Sequence, residues 1–164
     1  MRLLVTALVF CCLSLTRCGY QSDEDDQRGS DTSAEFSTAD FEKLLYQVAE
    51  GWNEGNARKA ADCFTTDAIY IEPPDRQLYK GREALYEFFG GSSGRASPMT
   101  MTWHHLLFNE AKQTGVGEYT FAYKGRKAHG LVIVQIAEGK IRRWREYQYR
   151  SELTWEEFIG ESVF

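Results

Sequence analysis

Two apolar-rich runs meet at Glu138-Gly139 and limit what this chain can fold into more than any other stretch. One is His129-Gly-Leu-Val-Ile-Val-Gln-Ile-Ala137; the other is Lys140-Ile-Arg-Arg-Trp-Arg-Glu-Tyr-Gln-Tyr149. A short Gly-containing loop between two such runs predicts a β-hairpin. A two-residue loop pairs Ala137 with Lys140, so that Ile133 faces Trp144, Leu131 faces Glu146 and His129 faces Gln148. His129 and Glu146 become diagonal neighbours, about 7–8 Å apart at Cα.

The same arithmetic extends to the strands before it. A Gly125-Arg126 turn sets Ala122 opposite His129 and Glu118 opposite Ile133. A turn at Ala111-Lys112 sets His105 opposite Glu118 and Trp103 opposite Thr120. One face then gathers Trp103, His105, Leu107, Glu118, Thr120, Ala122, His129, Leu131, Ile133, Trp144, Glu146 and Gln148. The other gathers Tyr119, Phe121, Tyr123, Val132, Val134, Ile136, Arg143, Arg145, Tyr147 and Tyr149. A one-residue slip in any loop turns that strand over.

Upstream lies a helical half. Ser37 with Asp40 predicts an N-cap, with Phe36 and Phe41 placed as a hydrophobic staple. Phe41, Leu44, Leu45, Val48 and Trp52 recur at helical spacing and predict a buried stripe. Gly51 and Gly55 end that helix, and Asn56 caps a second through Phe64. Ala68–Ile71 is a short strand stopped by Pro73-Pro74, Gln77–Tyr79 a possible second, and Gly81–Phe89 a third helix. Gly90–Pro98 is a loop, followed by strands at Met99–Asn109, Thr114–Tyr123, Lys127–Ala137 and Lys140–Tyr149. Thr154 and Glu157 predict a capping box on a last helical turn bearing Trp155, Phe158 and Ile159. The layout is α+β: a cone-shaped, curved mixed or antiparallel sheet wrapped around three helices.

The segment 1–35 reads differently. Leu3–Leu15 behind Met1-Arg2 is too short for a confident membrane span and predicts a signal peptide over 1–18. Leu15-Thr16-Arg17-Cys18-Gly19 resembles a bacterial lipoprotein processing site, although Arg17 departs from its small residue, which makes Cys18 a candidate for lipidation. Plain secretion and a retained hydrophobic N-terminus are the alternatives. The expected location is therefore exported: periplasmic or membrane-anchored, or else secreted. Residues 19–35 are acidic and polar, as a disordered tether is. The domain is then 36–164, a length that supports one core. Residues 1–35 hold three of the 19 basic and six of the 24 acidic side chains, so the domain is close to neutral. Without a basic stripe there is no sign of a nucleic-acid partner, and a membrane contact is expected only through a lipid anchor. Cys63 is the one domain cysteine and reads as a small buried residue rather than a nucleophile.

The order helix-helix-strand-strand-helix-four strands resembles the nuclear transport factor 2-like superfamily, a cystatin-like roll, and within it the SnoaL-like group. Carrying the resemblance are Gly51-Trp-Asn-Glu-Gly-Asn56, Phe64-Thr-Thr-Asp-Ala68, Tyr79-Lys-Gly-Arg-Glu83 and Gly139-Lys-Ile-Arg-Arg-Trp-Arg-Glu-Tyr147. These folds host isomerases, epoxide hydrolases, polyketide cyclases and binders, so the fold alone implies no activity. In the epoxide-hydrolase relatives the acidic position of the Trp-Arg-acid-Tyr motif, here Glu146, is catalytic. Glu replaces their Asp, and their Arg-x-Asp pair has no convincing counterpart. Relatives also pair through the outer sheet surface, which implies a homodimer, a point that light scattering tests. The alternative is that the aromatic and branched second face packs on the domain's own helices, with the pocket face reversed.

On the first face, apolar walls with a few polar groups have the composition of a ligand pocket. Glu146 is the candidate acid or base, with His129 or His105 assisting; a structural ion pair with Arg143, Arg145 or His129 is the alternative. Trp103, Glu118, Trp144, Gln148 and Tyr70 are candidate ligand contacts; Trp52 is a candidate beside Tyr70 at the pocket mouth, with core packing as its alternative. His104 is expected to point away from His105. No helical or cysteine ligand spacing argues for a metal, and no phosphate loop, nucleophile elbow or Cys-x-x-Cys pair points to a cofactor or another chemistry. Three functions stay open: binding of a small, largely apolar molecule, acid–base catalysis on one, or a structural module of the cell envelope.

Overall fold

The structure, a computed structural model, describes residues 36–73 and 77–164. The expected signal peptide, tether and Cys18 lipidation site lie outside the described residues, as does Pro74. Helix α1 (Thr38–Asn53) starts on the expected capping box, Ser37 and Asp40 each bonding the other's backbone N–H. Phe36 and Phe41 both pack on Phe108, and the predicted stripe is buried. Helix α2 (Ala57–Ala61) is capped by Asn56 and stops short of Phe64, which opens strand β1 (Phe64–Glu72) instead. Phe64 is drawn into the sheet because it pairs with Ile141, and the Ile141 N–H donates to the Cys63 carbonyl at 2.9 Å. Strand β2 (Gln77–Lys80) and helix α3 (Arg82–Phe88) follow, then β3 (Met99–Asn109), β4 (Thr114–Tyr123), β5 (Arg126–Ala137) and β6 (Lys140–Arg150). Helix α4 (Trp155–Ile159) carries the expected Thr154–Glu157 capping box.

The six strands form one mixed sheet in the order β2-β1-β6-β5-β4-β3, with β1 parallel to β6 and the other pairs antiparallel. Its inner face receives α1, α2 and α3. The Asn53 amide holds the Met101 backbone from both sides, at 3.1 and 2.7 Å, and the Trp103 indole donates to the Leu45 carbonyl at 2.9 Å. Gly51 packs so tightly on Ala60 that a Cβ there would lie 2.6 Å from the Ala60 nitrogen, which is why the α1–α2 pair needs glycine at this point.

Two β-bulges correct the predicted faces. Ile136 pairs with Ile141, but Gln135 pairs with Arg143, so Arg142 is an extra residue. Beyond it Val134 faces Trp144, Val132 faces Glu146 and His129 faces Tyr149. Arg142 reaches Asp67 at 3.3 Å, across an irregular stretch of β1. The second bulge is His104: His105 pairs with Glu118 as predicted, whereas Trp103 pairs with Tyr119 rather than Thr120. The β4–β5 turn falls at Lys124-Gly125, both with positive φ, one residue before the predicted place. That shifts the pairing by two residues, so Glu118 meets Leu131 and Thr120 meets His129, with faces preserved. The net result is that Tyr119, Phe121, Tyr123, Val132, Val134 and Ile136 share the inner face with Trp144 and Glu146. His105, Glu118 and His129 lie on the outer one. This is the reversed assignment for β4 and β5, and the predicted one for β6.

Candidate functional site

Glu146 sits mid-strand on β6 and is 3 % exposed. Four side chains donate to its carboxyl group. The Tyr70 hydroxyl and the Gln148 amide reach Oε1 at 2.5 and 3.4 Å; the Trp144 indole and the Tyr119 hydroxyl reach Oε2 at 3.0 and 3.2 Å. Each donor has a local cause. Trp144 and Gln148 flank Glu146 at the i±2 positions of one strand face. Tyr70 lies on the parallel neighbour β1, opposite Trp144, with its ring stacked on the indole at 5.7 Å and 8°. Tyr119 comes from β4, two strands away, and reaches Glu146 by crossing over Gly130 of β5. None of the four donors is a cation. Burial therefore dominates and raises the Glu146 pKa above the usual carboxylate value, while the hydrogen bonds pull it back in part. The Tyr70 and Tyr119 phenols are pushed upward by burial and by the adjacent carboxyl, so both remain hydrogen donors.

Glu146, Gln148 and Tyr119 line a cavity of about 350 Å³. Its walls are Trp52 of α1, Phe88 of α3 with Phe89 just beyond, Met99 and Met101 of β3, and Phe121 of β4. Arg95, Arg126, Arg150, Glu72 and Gln77 also border it. Trp52 is 6 % exposed, and its indole N–H has no hydrogen-bond partner among the described residues. Tyr70, Trp144 and Trp103 stand behind this lining: the first two hold Glu146, and Trp103 packs edge-on against Tyr119 and Trp144.

The histidines are elsewhere. His129 is 1 % exposed but buried on the outer face, beneath α4. Its ring packs on Phe158 at 4.4 Å and its Nε2 bonds the Leu153 carbonyl at 3.0 Å. Nδ1 meets the Thr120 hydroxyl at 2.9 Å, and that hydroxyl meets His104 Nε2 at 2.7 Å. His104 stacks flat on Trp155 at 3.9 Å, and burial lowers its pKa. Because of the bulge, His104 and His105 lie on the same outer face rather than pointing apart. His105 pairs with Glu118 there at 3.0 Å, both partly exposed. The geometry thus gives Glu146 no histidine assistant, and Glu118 is no cavity residue. Arg143 and Arg145 also point outward, so the alternative of a structural ion pair for Glu146 has no partner among the described residues. Cys63 is buried, donates to the Lys59 carbonyl at 3.5 Å and has its thiol pushed up to about 11 by burial, unlike a nucleophile.

Sequence reasoning missed Tyr119, Phe121 and the arginines, whereas Trp52, one of its two candidates for the pocket mouth, does line the cavity. The signals were present: two adjacent polar residues between inward apolar ones, in Trp103-His-His-Leu106 and Ile141-Arg-Arg-Trp144, mark both bulges. Gly130 within a strand marks a close approach.

Fold and site together define an open α+β roll whose inner sheet face carries a buried carboxyl group beside a cavity. The model of the SnoaL-like domain family matches residues 45–144, and the chain belongs to that family. Among solved structures it is similar to a putative ketosteroid isomerase from Kribbella flavida, at 15 % identity and TM-score 0.59, over 77 % of this chain and 91 % of that one. It is also similar to an NTF-2 like protein of unknown function from Burkholderia xenovorans, at 19 % identity and TM-score 0.58, over 79 % and 99 %. An LEH-like epoxide hydrolase from M. tuberculosis aligns at 12 % identity and TM-score 0.56, over 68 % and 84 %. No curated protein matches the chain. At these identities the structural likeness establishes the fold.

Proposed function

We propose that the protein binds a small, largely apolar molecule in the cavity above Glu146 and performs acid–base chemistry on it, with Glu146 as the group that gives or takes the proton. One observation carries the reading: a buried carboxyl group, bonded by no cation and with a raised pKa, lies at the wall of a cavity beside Trp52, Phe89, Met101 and Phe121. A carboxyl tuned upward by burial exchanges protons nearer neutrality than an exposed one, where general acid–base catalysis is most effective. The Tyr70 and Trp144 hydrogen bonds fix the carboxyl plane, so its orientation is set before a ligand arrives. The unpartnered Trp52 N–H supplies a buried donor on another wall, suited to an oxygen of the bound molecule.

Isomerase and epoxide-hydrolase relatives on this fold make proton transfer a natural class of reaction. For epoxide opening, Glu146 would take the proton of an attacking water and Tyr119, which also lines the cavity, would donate to the epoxide oxygen; for enolisation, Glu146 would be the base and Trp52 or Tyr119 the donor to the oxygen. A second reading, binding without reaction, is favoured by the four protein donors that already engage both oxygens of Glu146.

Glu146→Gln separates the two. On a substrate found by screening ketones and epoxides of cavity size, the catalytic reading predicts a loss of about 10²–10⁴-fold in kcat with binding retained. Turnover unchanged by the substitution removes Glu146 from the chemistry. Tight binding of such molecules with no turnover by the unmodified protein establishes the second reading.

A further inference from the structure

The cavity opens onto arginines that the proton-transfer reading leaves without a task. Arg126 and Arg150 are exposed, border the cavity and have no acidic partner within 4.0 Å among the described residues. They are neighbours. Ala128 on β5 pairs with Arg150 on β6, and Arg126 is two residues from Ala128 on the same inward face, so the two arginines are diagonal partners about 7–8 Å apart at Cα. Like charges placed side by side cost stability unless something between them repays it.

Arg95 adds a third guanidinium from the loop before β3. Its Nε and one terminal nitrogen donate to the carbonyls of Phe89 and Phe88, at 3.1 and 2.9 Å. It also lies against the rings of Phe88 and Tyr123, each 5.4 Å away, and Tyr123 is the strand partner of Arg126. Thus held, Arg95 still has N–H groups free to donate. Lys127 borders the cavity too, but its ammonium is committed to the carbonyls of Glu152 and Leu153. Among the described residues that border the cavity, Glu72 is the one carboxylate besides Glu146. The described part of the rim is therefore mainly cationic, and the apolar side chains of Trp52, Phe89, Met101 and Phe121 line the cavity with Glu146.

Glu146, Gln148 and Arg150 alternate along one face of β6, so the carboxyl and the cationic rim are four residues apart, about 13 Å along the strand. Resting on the cavity reading above, we propose that the molecule accepted here is an amphipathic anion. Its apolar body lies against Trp52, Phe89, Met101 and Phe121; its carboxylate or comparable oxyanion is held at the rim by Arg126, Arg150 and Arg95. Guanidinium forks match planar oxyanions in two-point contacts, which favours such a group over a neutral alcohol or ketone at that end. The part of the ligand near Glu146 is then the end remote from the charge.

Decanoate and 1-decanol test this, with binding read from the intrinsic tryptophan fluorescence of the full chain near neutral pH. The proposal predicts that decanoate binds about tenfold tighter than decanol, and that added salt narrows the gap. In the Arg126→Gln/Arg150→Gln double variant the gap narrows to what Arg95 alone supplies, while retained decanol binding reports that the variant is folded. Equal affinities in the unmodified protein, or a preference that survives undiminished in the double variant, overturn the anion assignment and leave the cavity reading standing. Binding of neither molecule overturns both.

Discussion

Trp144→Ala lowers the free energy of unfolding by about 3–5 kcal/mol, the range for truncating a large buried aromatic. Trp144 is 0 % exposed and packs against Trp52, Phe64, Tyr70 and Trp103, so no flexible neighbour can fill the space that its loss opens. The change also removes the indole N–H from Glu146. Trp144→Phe divides the two effects: part of the ring packing survives and the donor does not. Urea unfolding of the two variants checks this. The account requires Trp144→Ala to be the costlier, and a loss under about 1 kcal/mol for it would mean that Trp144 is not at the centre of the core.

Gly130→Ala costs about 1–3 kcal/mol, the usual penalty for inserting a methyl where there is no room. Its Cβ would lie 2.5 Å from the Tyr119 hydroxyl oxygen and 2.8 Å from the Tyr147 carbonyl oxygen. The backbone carbonyl cannot step aside, so the phenol must. Tyr119 then leaves Glu146, and the carboxyl loses one of its four donors. A smaller side chain at 119 should relieve most of the clash, so Gly130→Ala is less costly in a Tyr119→Leu background than alone. Stability unchanged by Gly130→Ala, or equal costs in the two backgrounds, would contradict the close crossing of β5 by Tyr119.

These two residues show how far the sequence could be read. Elements whose signals are local were legible. The capping boxes at Ser37 and Thr154 depend on residues three apart, the α1 stripe on helical spacing, and the Glu138-Gly139 turn on two adjacent residues. The helix 56–64 was read too long because pairing with Ile141, a long-range contact, draws Phe64 into the sheet. The faces of β4 and β5 failed for a related reason. Leu131 to Val134 is apolar at every position, so alternation cannot say which residues point inward, and the answer had to be carried over from β6 through the turn. A single extra residue, Arg142, reversed that transfer. Glu146 was identified through its motif and its neighbour Trp144. Its other donors come from β1 and β4, and no spacing within one segment reveals them.

The expected histidine assistants were a consequence of the same slip. His129 and His104 instead join the sheet to the segment around α4 through Thr120, Leu153 and Trp155. Their hydrogen bonds and ring contacts explain a buried histidine inside a strand without any role in chemistry.

The account rests on Glu146 holding its proton more tightly than an exposed glutamate does. A carboxyl whose pKa is raised in the folded state adds to stability at pH below its unfolded value; that contribution is lost as pH rises through the folded value. The titration is directly visible by carbon NMR of protein labelled at the glutamate carboxyl carbons, with Glu146→Gln identifying the resonance. The account predicts that this one signal titrates above the ordinary 4.5, while Glu83, Glu110 and Glu157, lowered by their hydrogen bonds to Arg58, Thr38 and Thr154, titrate below it. A Glu146 signal that titrates together with those three would contradict it.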